Sequence, residues 1–350
     1  MSFTLQSIVR PHILEMKPYS SAREEFRGDQ MVFLDANENN QGSVGGGGWN
    51  RYPDPLQLEL KAKIAEQQGI TPKQIFLGNG SDEAIDLLIR LVCVPGQDTV
   101  LTQPPTYGMY KVSAALNEVG VQEVPLNEAL QLEPERILEA VRPTTKIIFV
   151  CSPNNPTGNA LSLPAIRQMT NNFEGLVVLD EAYQDFSTQP SGVGLLDQHP
   201  NLVILRTFSK AWGLAGIRLG AALGSPELIA LLTKIKPPYN VNAATQKIAA
   251  AALERVAEKE KLVTTIREHR EHLRTALEQL PVVETIFPSE ANFLLVRFRQ
   301  EARPIYEHLR QNGVVVRDRS RELHCRNGLR ISVGTAEENA ELIRTLRRLG

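Results

Sequence analysis

Lys210 is the residue from which most chemistry can be built. It follows a β-rich run, Leu202–Thr207, and sits in Phe208-Ser209-Lys210-Ala211-Trp212-Gly213-Leu214-Ala215-Gly216-Ile217-Arg218-Leu219-Gly220, among small and apolar neighbours. Desolvation lowers an amine's pKa and frees its lone pair for attack on a carbonyl carbon. Ser209 adds a hydroxyl and Arg218 a fixed, forked positive charge, a combination suited to a phosphate. A lysine alone decides nothing, because most lysines are solvated.

Other chain segments carry groups that fit the same ligand. Asp180 ends the apolar run Leu176-Val177-Val178-Leu179 and precedes Glu181-Ala182-Tyr183. A carboxylate at the tip of a buried strand needs a cationic partner, and a protonated pyridine nitrogen would be one. Asn79-Gly80-Ser81 opens an amphipathic helix, so its backbone N–H groups can face an anion. Asp82 and Glu83 suit the helix dipole but would repel a phosphate, so their carboxylates are expected to point away from it. Tyr107, in Pro104-Pro105-Thr106-Tyr107-Gly108, can offer a flat face to an aromatic ligand. In Ser152-Pro153-Asn154-Asn155-Pro156-Thr157-Gly158 the prolines fix an asparagine amide just past a strand end, where it can donate to a phenolate-type oxygen. Each piece has a plain structural reading as a turn, a cap or a packed loop side chain.

These segments must be brought together by the fold. Strand-like runs at Ile75–Gly78, Thr99–Thr102, Val121–Pro125, Lys146–Cys151, Leu176–Glu181, Leu202–Thr207 and Leu219–Leu223 alternate with helical patterns such as Asp82–Cys93 and Leu163–Asn172. Such alternation predicts an α/β fold whose mostly parallel sheet is covered on both faces. Ligands of open α/β sheets bind beyond the carboxyl ends of the strands, where the polar clusters stand. Near Tyr239 the pattern changes. A helical region from about Ala243 to Leu280, long enough that a break is expected, leads to runs at Phe293–Phe298, Val314–Arg317 and Leu329–Val333 and a last helix from Glu337. The expected division is an arm with a glycine-rich loop over 1–48, a large cofactor-binding domain over 49–242 and a smaller α+β domain over 243–350, packing with part of the arm. Gly45 to Gly48 are expected to be mobile, and without a following Lys-Ser or Lys-Thr they are not a P-loop.

The order Ser152–Gly158, Asp180–Tyr183, then Ser209-Lys210 followed five residues later by Gly216-Ile217-Arg218-Leu219-Gly220 resembles the fold-type I pyridoxal 5′-phosphate (PLP) aminotransferases. That resemblance implies a large domain with a seven-stranded, mostly parallel sheet and a small C-terminal domain. It implies Lys210 as the Schiff-base lysine and proton carrier. Asp180 would pair with the pyridinium nitrogen, keeping the ring an electron sink. Tyr107 would stack on the ring, and Asn155 and Tyr183 would contact its phenolic oxygen. The phosphate would lie against Gly80, Ser81 and Asp82 backbone, Ser209 and Arg218, with the Thr207 hydroxyl assisting.

The chain is more closely similar to the histidinol-phosphate aminotransferase family. Lys17-Pro18-Tyr19, Leu34-Asp35-Ala36-Asn37-Glu38, Asn50-Arg51-Tyr52-Pro53-Asp54, Pro104–Tyr110, Val316-Arg317-Asp318 and Leu329-Arg330-Ile331-Ser332-Val333-Gly334 carry that likeness. It departs where many relatives have a proline after Asn37-Glu38-Asn39; here Asn40-Gln41-Gly42 follow. The resemblance implies that histidinol phosphate and glutamate are the amino donors, with 2-oxoglutarate as glutamate's keto partner. Two guanidiniums can grip either dianion, and Arg317 and Arg330 are the candidates, with Tyr19 and Asn37 nearby. In the family, the tyrosine at the position of Tyr52 reaches the neighbouring subunit's site, so Tyr52 implies a homodimer and completes the cofactor and substrate sets. The same machinery also serves aromatic amino-acid aminotransferases and threonine-phosphate decarboxylase-type lyases. A non-catalytic PLP-binding protein would tolerate a degraded lysine, aspartate or arginine, and none is degraded here.

Composition narrows the remaining classes. The chain has 350 residues, 42% hydrophobic and 22% charged, with a formal net charge of −2. That balance gives no electrostatic reason to expect nucleic acid or an anionic membrane as partner. No apolar run approaches the roughly 20 residues of a membrane helix, and the charged, proline-containing N-terminus does not read as a signal peptide, so the cytoplasm is expected. Cys93, Cys151 and Cys325 are isolated and read as reduced core thiols. His269 and His272 in Glu268-His269-Arg270-Glu271-His272 have a spacing that suits a metal, but the interleaved charges point to a solvated helix face, and no metal is expected.

Overall fold

A computed structural model of the chain describes residues 3–18 and 32–349. Seven strands form the large sheet: β1 (Ile75–Asn79), β2 (Thr99–Thr102), β3 (Gly120–Glu123), β4 (Thr145–Cys151), β5 (Leu176–Asp180), β6 (Leu202–Thr207) and β7 (Leu219–Leu223). Their order is β1-β7-β6-β5-β4-β2-β3. The run β6-β5-β4-β2-β3 is parallel throughout, and β7 is antiparallel to both of its neighbours.

The central strands show why both faces are covered. Ile148, Val150, Val177, Leu179 and Ile204 face one apolar cluster, while Ile147, Phe149, Val178, Val203 and Leu205 face another. Side chains alternate across a strand, so an uninterrupted apolar run must be buried on two sides. Each such side chain stabilises the fold by about 1.5–3 kcal/mol relative to exposure. Helices Ser81–Val92 and Pro226–Ile235 cover one face; Leu58–Gln68, Leu163–Asn172 and Ala243–Leu253 cover the other. Ser162, Ser225 and Asn242 accept N-cap hydrogen bonds, which start three of these helices where the pattern places them.

The expected break in the long helical region falls at Glu254–Arg255, between helices Ala243–Leu253 and Val256–Glu278. The first of these carries Ala249 and Leu253 into the large-sheet core. The described part of the arm also packs there: Leu5, Val9 and Ile13 join the same cluster as Leu88 and Leu91, and Arg10 N–H donates to Leu91 O at 3.0 Å.

A second, antiparallel sheet lies beyond, ordered β10-β11-β9-β8 from β8 (Val283–Ile286), β9 (Phe293–Phe298), β10 (Arg317–Asp318) and β11 (Gly328–Ser332). β8 is absent from the sequence reading because only Val283 of its four residues is buried. The run expected at Val314–Arg317 shrinks to an edge pair at Arg317–Asp318, and Val315 stays exposed. The helix Ala336–Arg347 closes the layer behind a capping box of Thr335 and Glu338. Gly45 to Gly48 lie in successive turns, three of them at positive φ.

Candidate active site

The carboxyl ends of β1, β4, β5 and β6 lie along one edge of the large sheet, aligned by Cys151 opposite Asp180, Thr207 opposite Gly220 and Asn79 opposite Leu219. Beyond that edge is a cavity of about 170 Å³. Gly80, Ser81, Asp82, Tyr107, Asn155, Asp180, Tyr183, Thr207, Ser209, Lys210 and Arg218 all line it, with Cys151, Ala182 and Ala215. Residues from five stretches of chain, separate in the sequence, thus face one space.

At one end, β5 delivers Asp180, 2% exposed. Its Oδ2 accepts a 2.7 Å hydrogen bond from the Tyr110 hydroxyl, and its Oδ1 accepts the Ala182 N–H at 3.1 Å. Burial pushes the carboxyl up to about 6 against the pull of the Tyr110 hydrogen bond. No described residue makes a salt bridge to it. A buried carboxylate aimed into a cavity without a cation is a group awaiting one.

Lys210 stands across the cavity, with Nζ 5.5 Å from the centre of the Tyr183 ring. Burial, and next Arg330, hold its pKa below the usual lysine value. That is the direction an amine nucleophile requires. Tyr183 is itself buried and packs edge-to-face on Phe293, with ring centres 5.2 Å apart. Asn155 Oδ1 accepts a 2.6 Å hydrogen bond from Arg330 Nη1, which leaves the Asn155 Nδ2 to donate elsewhere.

The other end is built for an anion. Gly80 has φ +73°, its N–H donates to Arg218 O at 2.8 Å, and the helix Ser81–Val92 begins there with its first N–H groups unpaired within the helix. A side chain at Gly80 would place its Cβ 2.6 Å from Arg218 Nη2; at Gly220 it would meet Ser81 N at 2.2 Å. Gly220 is required by close approach to backbone, and Gly80 by its positive φ. Arg218 Nη1 lies 3.4 Å from Ser209 Oγ, and Thr207 Oγ1 accepts the Ser209 N–H at 3.1 Å.

Asp82 departs from expectation. Its carboxylate faces the anion end: Oδ2 is 3.6 Å from Arg218 Nη2, and Oδ1 accepts from the Tyr107 hydroxyl at 3.2 Å. The attraction of the guanidinium outweighs the dipole argument, which fixed only the position of the residue on its helix. Glu83 does turn away, to Asn79 and Asn240.

The proposed substrate residues are more dispersed. Arg330 of β11 is tied to the cavity through Asn155. Arg317 is its direct partner on β10 but is exposed, and borders a separate cavity of about 310 Å³ with Arg303, Tyr306 and Arg319. Tyr52 and Asn37 lie in another cavity, of about 600 Å³, away from Lys210. There Tyr52 stacks on Tyr239 with centres 4.5 Å apart and planes at 19°. Tyr19 lies outside the described residues. The sequence assigns no site role to Tyr110, and Cys151 reads there only as a core thiol, yet Cys151 lines the cavity and Tyr110 bonds Asp180. Tyr110 closes the quoted Pro104–Tyr110 string, yet nothing in that string says which tyrosine turns toward the aspartate.

The other candidate sites are occupied structurally. All three cysteines are buried, and burial lifts the Cys93 and Cys325 thiols to about 12. His269 Nδ1 lies 3.1 Å from Gly334 O, and Glu271 pairs with Arg274. Among the described residues no helix is long and apolar enough to cross a membrane.

The cavity fits PLP: a buried unpaired carboxylate for the pyridinium nitrogen, a desolvated lysine for the aldehyde, and a glycine-and-arginine cradle for the phosphate. Fold and site together define a fold-type I aminotransferase. Residues 25–346 match the family model described as aminotransferase class I and II. The chain is 50% identical over 347 residues to the histidinol-phosphate aminotransferase of Cytophaga hutchinsonii, covering 99% of each chain. It is 49% identical over 345 residues to that of Parabacteroides distasonis, again covering 99% of each. The crystal structure of histidinol-phosphate aminotransferase from Sinorhizobium meliloti in complex with pyridoxal-5′-phosphate superposes with a TM-score of 0.79 at 26% identity, covering 90% of each chain. The chain belongs to the histidinol-phosphate aminotransferases, within the class I and II aminotransferase family.

Proposed function

We propose that this chain transfers the amino group of L-histidinol phosphate to 2-oxoglutarate, giving imidazole acetol phosphate and glutamate, as a step of histidine biosynthesis. The observation that carries the reading is the convergence of Lys210, Asp180 and Arg218 on one cavity that Arg330 adjoins through Asn155. Bound there, PLP supplies an aldehyde that accepts amino groups and a pyridinium ring that takes up electrons.

The chain's own residues do the rest. With PLP bound, Lys210 Nζ would hold it through the aldehyde carbon and would take a proton from the substrate's reacting carbon and return one. Asp180 would pair with the ring nitrogen. Tyr107 would face the ring, and Asn155 and Tyr183 would hold its phenolic oxygen. Gly80, Ser81 and Asp82 backbone, Ser209, Thr207 and Arg218 would anchor the phosphate. Arg330 would take one anionic group of either substrate; Arg317 and Asn37, which line other cavities of this chain, and Tyr19 are the further candidates for that grip. Because histidinol phosphate carries its phosphate where glutamate carries its α-carboxylate, one guanidinium site serves both halves of the reaction.

Tyr52 supports a homodimer with shared sites: it is 50% exposed and lines a cavity other than that of its own chain's Lys210. We assign residues 49–242 to the cofactor-binding domain, 243–350 to the small domain and 1–48 to the arm, with the helix Ala243–Leu253 packing back on the large-sheet core. A cytoplasmic location accords with a biosynthetic role.

The test is direct. Purified protein with PLP, histidinol phosphate and 2-oxoglutarate should form glutamate and the keto product stoichiometrically. Absence of both overturns the reading. Carbon dioxide release from threonine phosphate without 2-oxoglutarate would identify a lyase, and a higher kcat/KM for phenylalanine than for histidinol phosphate an aromatic aminotransferase.

A further inference from the structure

We propose that Tyr110 is the positioning residue for Asp180, holding its carboxylate in the orientation that meets the cofactor's ring nitrogen. The proposal rests on the reading of the cavity as a PLP site. Tyr110 does not line the cavity; its hydroxyl acts there through Asp180.

The geometry leaves the carboxylate little freedom. Tyr110 is fully buried in the first turn of the helix Met109–Leu116. Its ring stacks on Phe149 of β4, with centres 4.7 Å apart and planes at 6°, and meets Tyr107 edge-on at 5.5 Å. Two aromatic contacts fix the plane of the ring, and the plane fixes where the hydroxyl points. That hydroxyl lies 2.7 Å from Asp180 Oδ2, the distance of a charge-assisted bond. With Oδ1 on the Ala182 N–H, each oxygen has one protein donor, and the remaining lone pairs face the cavity.

The direction of donation is also set. Burial and the neighbouring Asp180 charge hold the tyrosine hydroxyl well above its usual pKa, so Tyr110 stays a donor. A donor stabilises the ionised carboxylate, which is the form that pairs with a pyridinium. Asp180 also feels Asp82, which opposes ionisation, and Lys210, which favours it; Cys151, Tyr107 and Tyr183 are the remaining titratable neighbours, and their thiol and hydroxyls stay neutral. Among these, Tyr110 is the one with a hydrogen bond to the carboxylate.

Tyr110→Phe removes one oxygen and keeps both ring contacts, and Asp180→Asn serves as the blank. In the cofactor-free protein, isotope-edited infrared titration of the aspartate carboxyls should show the Asp180 transition moving to higher pH in Tyr110→Phe. In the loaded protein, the dissociation constant for PLP, read by equilibrium dialysis, should rise about tenfold or more, the effect of losing a hydrogen bond to a charged group. Phe149→Leu, which loosens the ring without deleting the hydroxyl, should give a smaller rise. An unchanged Asp180 titration together with unchanged PLP affinity in a folded Tyr110→Phe would overturn the proposal. Failure of the wild-type chain to bind PLP would instead overturn the reading of the site, leaving the cofactor-free titration to stand by itself.

Discussion

Arg330 joins the two sheets at the active site: from β11 in the small sheet, its Nη1 donates a 2.6 Å hydrogen bond to Oδ1 of Asn155, just past β4 of the large one. The contact does two things at once. It turns the Asn155 Nδ2 outward as a donor, and it places a guanidinium, stacked at 5.3 Å on Phe293, beside the Lys210 cavity. Burial lowers the Arg330 pKa, and Arg319 and Arg317 add like charge. A partly desolvated guanidinium crowded by cations gains from any bound anion.

Arg330→Gln should therefore lower kcat/KM for histidinol phosphate about 100- to 1000-fold, the scale of losing a charged anchor in a shielded site. It should also let the Lys210 pKa rise, because Arg330 is the second cause of its depression after burial. The pH at which half of Lys210 is trapped by borohydride with PLP reports that shift. Arg317→Gln, at an exposed position, should cost less than about tenfold. Equal losses in steady-state assays of the two variants would show that Arg317 closes on the substrate to the same degree.

Asp180 leads to a stability prediction whose sign can be worked out. Its carboxyl is raised to about 6 in the folded chain, so the folded state holds the proton more tightly than the unfolded one. The cofactor-free protein thus loses stability as pH rises from about 4 to about 6, by roughly 3 kcal/mol at most, and the loss persists above that window. Asp180→Asn should melt higher than wild type at pH 8 without PLP, and the gap should close near pH 4. With PLP the order should reverse, because the pyridinium partner is then present for aspartate only. Thermal melts across pH, with and without PLP, decide it. A wild-type protein as stable as Asp180→Asn at pH 8 without PLP would contradict the burial cost.

The sheet was legible in the sequence because its central strands are apolar on both faces, and the site was legible because each strand ends in a polar group with one plausible use. Lys210, Asp180 and Asn155 each follow the end of a parallel strand, and Arg218 stands at the start of antiparallel β7, so all four fall at the same edge of the sheet. What was not legible depends on side-chain direction or half-exposed pairing. Asp82 chose Arg218 over solvent, a contact between residues far apart in sequence. Tyr107 lies in the loop before Gly108 and Tyr110 in the first helical turn after it, and the Pro104–Tyr110 string does not show which of them faces the aspartate. β8 is too exposed to show a strand's apolar signature.

Gly220 supplies a test of the phosphate cradle. It pairs with Thr207 on one side and Gly78 on the other, and an added Cβ would lie 2.2 Å from Ser81 N and 2.3 Å from Gly80 C. These are backbone atoms, so relief requires moving the turn that faces the phosphate. Gly220→Ala should cost about 1–3 kcal/mol of stability and weaken PLP binding in parallel. Gly216→Ala, with open space around it, should do neither. Denaturant melts and PLP dialysis on the two variants provide the comparison.

Tyr52 tests whether sites are shared between subunits. Its stack on Tyr239 holds the ring in a cavity that its own Lys210 does not line. If the ring serves a neighbour, Lys210→Ala and Tyr52→Ala damage different halves of each site. Both variants alone should then be nearly inactive. In a heterodimer, the Tyr52→Ala chain keeps its own Lys210 and receives Tyr52 from its partner, so one of its two sites is whole. Unfolding the two variants together in equal amounts and refolding them should restore about a quarter of wild-type sites, as random pairing in a twofold dimer requires. Activity that stays at the sum of the separate variants would place Tyr52 and Lys210 in the same chain's site, and the shared-site dimer would fall.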